Sequence, residues 1–216
     1  MPLRSRNLAL AAVALAALAA AVVVLTTRSN AHNSSAASSV ATAGPETGFD
    51  GAAFPLAAPT PNFTLTDQYG RRVSLSDYRG RVVALTFLYS TCGDTCIVIA
   101  QQLRGALDEL QAAGARPPTV LIVSADPAAD TPANVRGFLA RMSLSGRTQY
   151  LTGSPAQLRS VWRAYDVKPA SAGAHVFGEY AQVLLLDPQG RKRVLFESEE
   201  LTPEALSHDI RKLDGP

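Results

Sequence analysis

Hydrophobic positions change their period several times along this chain, and each change marks an element. The first stretch has no period at all. "LALAAVALAALAAAVVVL", Leu8 to Leu25, is 18 residues without a charge or a strongly polar group. As a helix it would span roughly 27 Å, close to a hydrocarbon core of about 30 Å. Thr26 to Pro61 then carries Ala, Ser, Gly, Thr and Pro with few large apolar residues. That is too little to offset its ordering entropy, and it reads as a flexible tether.

From Asn62 the pattern becomes globular. "FTLTDQYGRRVSL" alternates apolar and polar around Gly70 and predicts a hairpin. "RVVALTFLY" is continuously apolar and β-rich, the pattern of a strand covered on both faces. "CIVIAQQLRGALDELQAAG" places Ile97, Ile99, Leu103, Leu107 and Leu110 at near-helical spacing and stops at Gly114. "TVLIVSAD" is a second buried strand. "DTPANVRGFLARM" predicts a helix capped by Asp130 or Thr131, with Pro132 in its first turn. "SPAQLRSVWRAYDV" opens a third helix at Ser154 and Pro155, and "YAQVLLLDPQGRKRVLFES" is a hairpin turning at Asp187 to Gly190. "TPEALSHDIRKL" is a last helix capped by Thr202, with His208 among polar neighbours as a surface residue.

The predicted order is β-hairpin, β, α, β, α, α, β, β, α. This is an α/β fold with a mixed central sheet flanked by helices. The expected organisation is a basic segment and anchor over residues 1–28, a linker over 29–60 and one domain over 61–216. Arg4 and Arg6 precede the apolar run, which keeps the N-terminus in the cytoplasm and exports the rest. A signal peptide cut near Ser29-Asn30-Ala31 is the alternative. The apolar core is longer than a signal peptide's, which favours a single-pass anchor in the cell membrane with the domain on the periplasmic side.

Charge adds little. With 20 basic and 18 acidic residues the net charge is +2, so no nucleic-acid partner is implied. Cysteine usage adds much more. The chain has two cysteines, Cys92 and Cys96, and they follow directly on the buried strand, at the edge where open α/β sheets place their sites. If a helix begins at Cys92, Cα atoms at i and i+4 lie about 6 Å apart, inside the range where disulfides form. Positive charge at a helix N-terminus stabilises thiolates, and Gly93 allows close approach. Asp94 suits a first turn but opposes thiolate formation.

A purely structural disulfide closing so short a loop removes little unfolded-chain entropy. Structural zinc wants four N or S ligands, commonly from C-x-x-C, and fits poorly. Copper fits better, because soft thiolates hold Cu(I) and a thiolate–imidazole site can hold Cu(II). A peroxidase would generally have threonine three residues before its reactive cysteine, and position 89 is tyrosine.

Several stretches in order resemble the Sco/SenC family. "SLSDYRGRVVALTFLYSTC" resembles the strand leading into that family's C-x-x-x-C, and "CGDTC" has its spacing and central Asp, with Gly93 where proline is usual. "SADPAADTP" is similar to its D-P-x-x-D-T-P, on Asp126, Pro127, Asp130, Thr131 and Pro132. "YLTGSPAQLRSVWRAYDV" and "LLLDPQG" match later stretches. No proline directly precedes "YAQVLLL", which favours this family over general thioredoxin-like reductases.

The resemblance implies a thioredoxin-like fold and a membrane-anchored, monomeric copper chaperone. It would deliver copper to, or reduce a cysteine disulfide to thiols in, the copper-site subunit of a terminal oxidase, cytochrome c oxidase. The alternative is a thiol–disulfide oxidoreductase acting on another extracytoplasmic thiol protein, with Cys92 attacking and Cys96 resolving. The implied copper ligands are Cys92, Cys96 and a histidine about eight residues before the Asp of the late D-P-x-G turn. Counting back from Asp187 reaches Glu179; the nearest histidine is His175, in the Gly-containing "SAGAHVFGEY". His175 is the expected third ligand. Glu179, a hard carboxylate, is a poor one for Cu(I).

Overall fold

Strand β5, Val83–Leu88, is buried at all six positions, so it needs cover on both faces. A computed structural model supplies that cover; it describes residues 42–44, 47–55, 60–170 and 181–215. These lie within one compact unit, Ala41–Pro216. Leu8–Leu25 and the segment holding His175 and Glu179 lie outside the described residues. No described helix is long and apolar enough to cross a membrane.

The preceding strands are β1 (Thr42–Gly44), β2 (Phe49–Ala53), β3 (Thr64–Thr66) and β4 (Arg72–Ser74). After β5 come α1 (Asp94–Ala112), β6 (Thr119–Ser124), α2 (Pro132–Arg141), β7 (Thr148–Leu151) and α3 (Pro155–Ala164). The chain ends with β8 (Gln182–Leu186), β9 (Lys192–Glu197) and α4 (Pro203–Asp214). The main sheet runs β1-β2-β9-β8-β5-β6-β7, while β3 and β4 form the separate predicted hairpin. Strands β5, β6 and β7 are mutually parallel, and β8, antiparallel to β5, begins the antiparallel half.

Alternation along β5 splits the core in two. Ala84 and Leu88 join Leu103, Leu110, Phe138, Leu206 and Ile210 under α1, α2 and α4. Val83, Leu85 and Phe87 join Leu158, Val161 and Trp162 of α3 and Leu65 and Val73 of the hairpin. The helix starts follow the sequence. Thr131, Ser154 and Thr202 each accept an N–H from the first turn, and a proline follows each of them. Gly114, with φ +65°, lies just past the end of α1.

Two predictions need correction. Strand β7 was not expected, because Thr148 and Gln149 give it little apolar signal. It forms because Tyr150 and Leu151 are fully buried beside β6. The linker expected over 29–60 is also too long, since β1 and β2 fall within it. Strand β2 pairs with β9 through Ala52–Leu195 and Ala53–Val194. The Asp209 carboxylate, fully buried on α4, accepts the N–H of Asp50 at 3.0 Å and of Gly51 at 3.0 Å. Gly51 fits where a Cβ would stand 2.5 Å from Val194 Cγ1 and 2.9 Å from Leu195 O. The small residues that suggested flexibility are those that let this strand approach the sheet.

The same five-residue turn occurs twice. In "DQYGR" and "DPQGR" the aspartate N–H bonds the arginine carbonyl, and its carboxylate takes the arginine N–H at 2.9 Å in both. The arginine Nε donates to the other carboxylate oxygen, at 2.7 Å for Asp67 and 2.8 Å for Asp187. Gly70 and Gly190 supply the positive φ, +81° and +70°. Burial pushes both carboxyls up. The backbone N–H and guanidinium of Arg71, helped by the N–H of Tyr69, outweigh it for Asp67, as those of Arg191, helped by Arg193, do for Asp187. Both carboxyls finish below the ordinary 3.8.

Asp209→Ala strands the buried N–H groups of β2 and is expected to cost about 1–3 kcal/mol in chemical denaturation of the full chain. A chain starting at Pro59 loses β2 altogether, and its melting temperature is expected to fall by about 2–4 °C for each kcal/mol lost. An unchanged melting temperature would mean that β2 contributes nothing to stability.

Because Asp67 and Asp187 titrate lower folded than unfolded, their contribution is complete above the unfolded value and is lost as pH falls through the folded one. Stability is therefore expected to fall as pH drops below about 4. The double variant Asp67→Asn, Asp187→Asn should start less stable at pH 7 and show a shallower acid limb.

Candidate functional site

Parallel strands β5 and β6 end together, and the chain leaving β5 carries the cysteines. The Cys92 N–H bonds Tyr89 O at 3.1 Å in a turn, and α1 begins after Gly93. The helix thus starts at Asp94 and not at Cys92 as expected, because the Tyr89 turn takes up Cys92 first. Cys96 sits in the first turn of α1. The pair is joined by a disulfide, with Cα atoms 5.8 Å apart, so the expected separation of about 6 Å holds although Cys92 is outside the helix.

The two sulfurs differ in access. Cys96 is fully buried against the α1 side of the core, while Cys92 is only partly buried. Among the described residues no side chain caps α1, and Asp94 is the acid of its first turn. A Cβ at Gly93 would meet no described residue within 4 Å, so packing among the described residues does not require glycine there. Once reduced, the pair offers one accessible thiol and one sheltered thiol at the positive end of a helix dipole.

Behind this loop lies a buried polar cluster that the sequence reading missed. Thr131, not Asp130, caps α2, which leaves the Asp130 carboxylate free to turn inward. Its Oδ1 accepts the Ser90 N–H at 2.6 Å, and its Oδ2 accepts the Ser124 hydroxyl at 2.6 Å and the Tyr150 hydroxyl at 2.8 Å. Asp130 is 6% exposed, Ser90 2%, and Ser124 and Tyr150 are fully buried. Burial pushes the Asp130 carboxyl above its ordinary value, although these donors pull the other way. Burial, and then the charge of Asp130, push the Tyr150 hydroxyl well above 10, so it keeps its proton. The available signal was the D-P-x-x-D-T-P stretch, which carries more acids than one cap needs.

His175 and Glu179 lie outside the described residues. The described chain flanks that segment at Ala170 and Ala181, and the Ala170 N–H bonds Ala125 O, one residue past β6, at 3.1 Å. His208 is half exposed, as expected of a surface residue, and its Nδ1 lies 2.9 Å from Asp209 and 3.2 Å from Asp50. These groups converge where Asp209 holds β2, and that hold accounts for their arrangement.

The SCO1/SenC family profile matches residues 55–214. The chain belongs to the SCO1/SenC family. It is similar to the bovine (Bos taurus) protein SCO2 homolog, mitochondrial, with 31% identity over 136 residues, covering 60% of this chain and 50% of that one. It is also similar to a putative copper-binding protein of Stutzerimonas stutzeri, with 27% identity over 140 residues, covering 62% of this chain and 66% of that one. These matches leave between a third and a half of each relative uncovered. Among solved structures, Bradyrhizobium japonicum ScoI with copper bound matches with a TM-score of 0.54 and 26% identity, over 72% of this chain and 99% of that one. The mixed sheet flanked by helices is the family's thioredoxin-like fold.

After reduction of the full chain, iodoacetamide is expected to modify Cys92 well before Cys96, read by mass spectrometry of quenched samples. Faster modification of Cys96 would reverse the assignment of the accessible sulfur.

Proposed function

We propose that this SCO1/SenC protein binds copper and serves assembly of the copper site of cytochrome c oxidase, with Cys92 and Cys96 as ligands and His175 as the third. The carrying observation is one cysteine pair, partly open at Cys92, with Cα atoms 5.8 Å apart where parallel strands end. Opened by two-electron reduction, the pair supplies two thiolates able to converge on one ion. Copper is the cargo that this donor set suits, since soft sulfur selects Cu(I) and an added imidazole lets Cu(II) persist. The similarity to a copper-bound structure at 26% identity supports the same reading.

The partner in this proposal is the copper-site subunit of a terminal oxidase. The Leu8–Leu25 run behind Arg4 and Arg6 supports a single-pass anchor that holds the domain outside the cytoplasm. The second reading, thiol–disulfide exchange without copper delivery, is favoured by the closed disulfide and by the unequal access of its sulfurs. In that reaction Cys92 attacks a partner disulfide and Cys96 displaces the partner, leaving Cys92–Cys96 oxidised and the partner reduced. The two readings are compatible, because a partner must have reduced thiols to accept copper.

Titration of the reduced full chain with Cu(II) is expected to give an intense sulfur-to-copper charge-transfer band. His175→Ala should lose the band and retain disulfide formation, while Glu179→Ala should change little. Loss of the band in Glu179→Ala with His175→Ala intact would make the carboxylate the donor. A wild-type chain that binds no copper yet cycles its cysteines against a partner disulfide would leave the oxidoreductase reading alone. Cys92→Ser is the negative control for both.

A further inference from the structure

Neither copper ligation nor thiol exchange has used the buried acid behind the cysteines. The donors to Asp130 come from three places: Ser90 just past β5, Ser124 at the end of β6, and Tyr150 within β7. Ser90 is the one in the cysteine loop. Its N–H meets Oδ1 at 2.6 Å, one residue after Tyr89, whose carbonyl accepts the Cys92 N–H at 3.1 Å. The adjoining strand end is tied in too, since Leu88 O accepts the Ala125 N–H at 2.8 Å and lies 3.2 Å from the Tyr150 hydroxyl. On the other side of Cys92 the backbone runs through Gly93, beside which no described residue comes within 4 Å of a Cβ, into a helix start that no described side chain caps. Among the described residues, the anchor of the loop is on its Ser90 side.

We infer that Asp130 is a positioning residue for the Cys92–Cys96 couple: by holding the Ser90 N–H it fixes the turn that presents the Cys92 sulfur. The inference rests on the reading that this pair cycles between dithiol and disulfide. While the disulfide is closed, the S–S bond itself holds Cys92 beside Cys96. When it is open, the Ser90 anchor takes over that task and keeps the effective concentration of one thiol at the other high. Losing the anchor strands its buried donors in both redox states alike, but it frees the loop of the dithiol alone and so makes ring closure harder, and the balance moves toward the reduced form. Ionic and positional effects of Asp130 are separable. Asparagine keeps a carbonyl oxygen for the Ser90 N–H and lacks the charge, whereas alanine lacks both.

The test is redox equilibrium of the full chain with glutathione buffers, read by thiol trapping. The Cys92 thiolate attacks glutathione disulfide and expels one glutathione. The Cys96 thiolate then attacks the mixed disulfide and expels the second. Two electrons pass to glutathione, and the two thiol protons of the chain end on the two glutathiones. Asp130→Ala is expected to lower the equilibrium constant for disulfide formation about tenfold, a rise of ~30 mV in reduction potential. Asp130→Asn, which preserves an acceptor for the Ser90 N–H, should stay close to wild type. Equal shifts in Asp130→Ala and Asp130→Asn would assign the effect to charge and overturn the inference, as would no shift in either.

Should Asp130→Ala not fold, the wild-type chain decides alone. In its reduced form the Ser90 amide is expected to exchange hydrogen as slowly as the amides of β5, and loop-like exchange would overturn the anchor. A wild-type chain that never equilibrates with glutathione sinks the redox reading, and the Ser90 exchange rate still decides the anchor.

Discussion

A strand that is apolar on both faces can exist only inside a protein, and β5 is that strand here. Its six buried positions commit the chain to two core layers, one under α1, α2 and α4 and one under α3 and the β3–β4 hairpin. Its central place in the sheet, parallel to β6 and antiparallel to β8, joins the two halves of the fold. Where β5 ends, the cysteines begin. The rigidity that the core requires is thus delivered directly to the chemistry.

Polar groups at that boundary are arranged economically. Strand ends leave backbone groups without ladder partners, and buried backbone groups need partners. Asp130 answers this by accepting the Ser90 N–H and the hydroxyls of Ser124 and Tyr150 at one carboxylate. A fully satisfied buried network is stiff, because losing any member strands the others. The same stiffness that closes the end of the sheet sets the position of the cysteine loop.

The opposite edge of the sheet relies on a different acid. Asp209 on α4 binds the N–H groups of Asp50 and Gly51 and so docks β2 on β9. Lys212 reinforces this edge, donating to Thr47 O and Gly48 O and lying 4.7 Å over the Phe49 ring. The last helix therefore fixes a strand from the start of the unit. The domain is closed by contacts between its two ends.

The sequence by itself determined the elements whose cause is local. Apolar period marked β5, β6, α1 and the hairpins; Ser, Thr and Pro marked three helix starts; Gly70, Gly114 and Gly190 marked turns that need positive φ. The spacing of Cys92 and Cys96 determined that they can bond, since chain geometry limits how far apart i and i+4 can lie. Only the tertiary structure decided the rest. Strand β7 and strand β2 carry weak local signals, and they form because a finished neighbour offers a ladder and, for β2, because Asp209 accepts its N–H groups. The start of α1 moved from Cys92 to Asp94 because Tyr89 takes the Cys92 N–H into a turn. Asp130 read as a cap and became a buried acceptor, because its donors lie 40, 6 and 20 residues away in the chain and meet only when β5, β6 and β7 lie side by side.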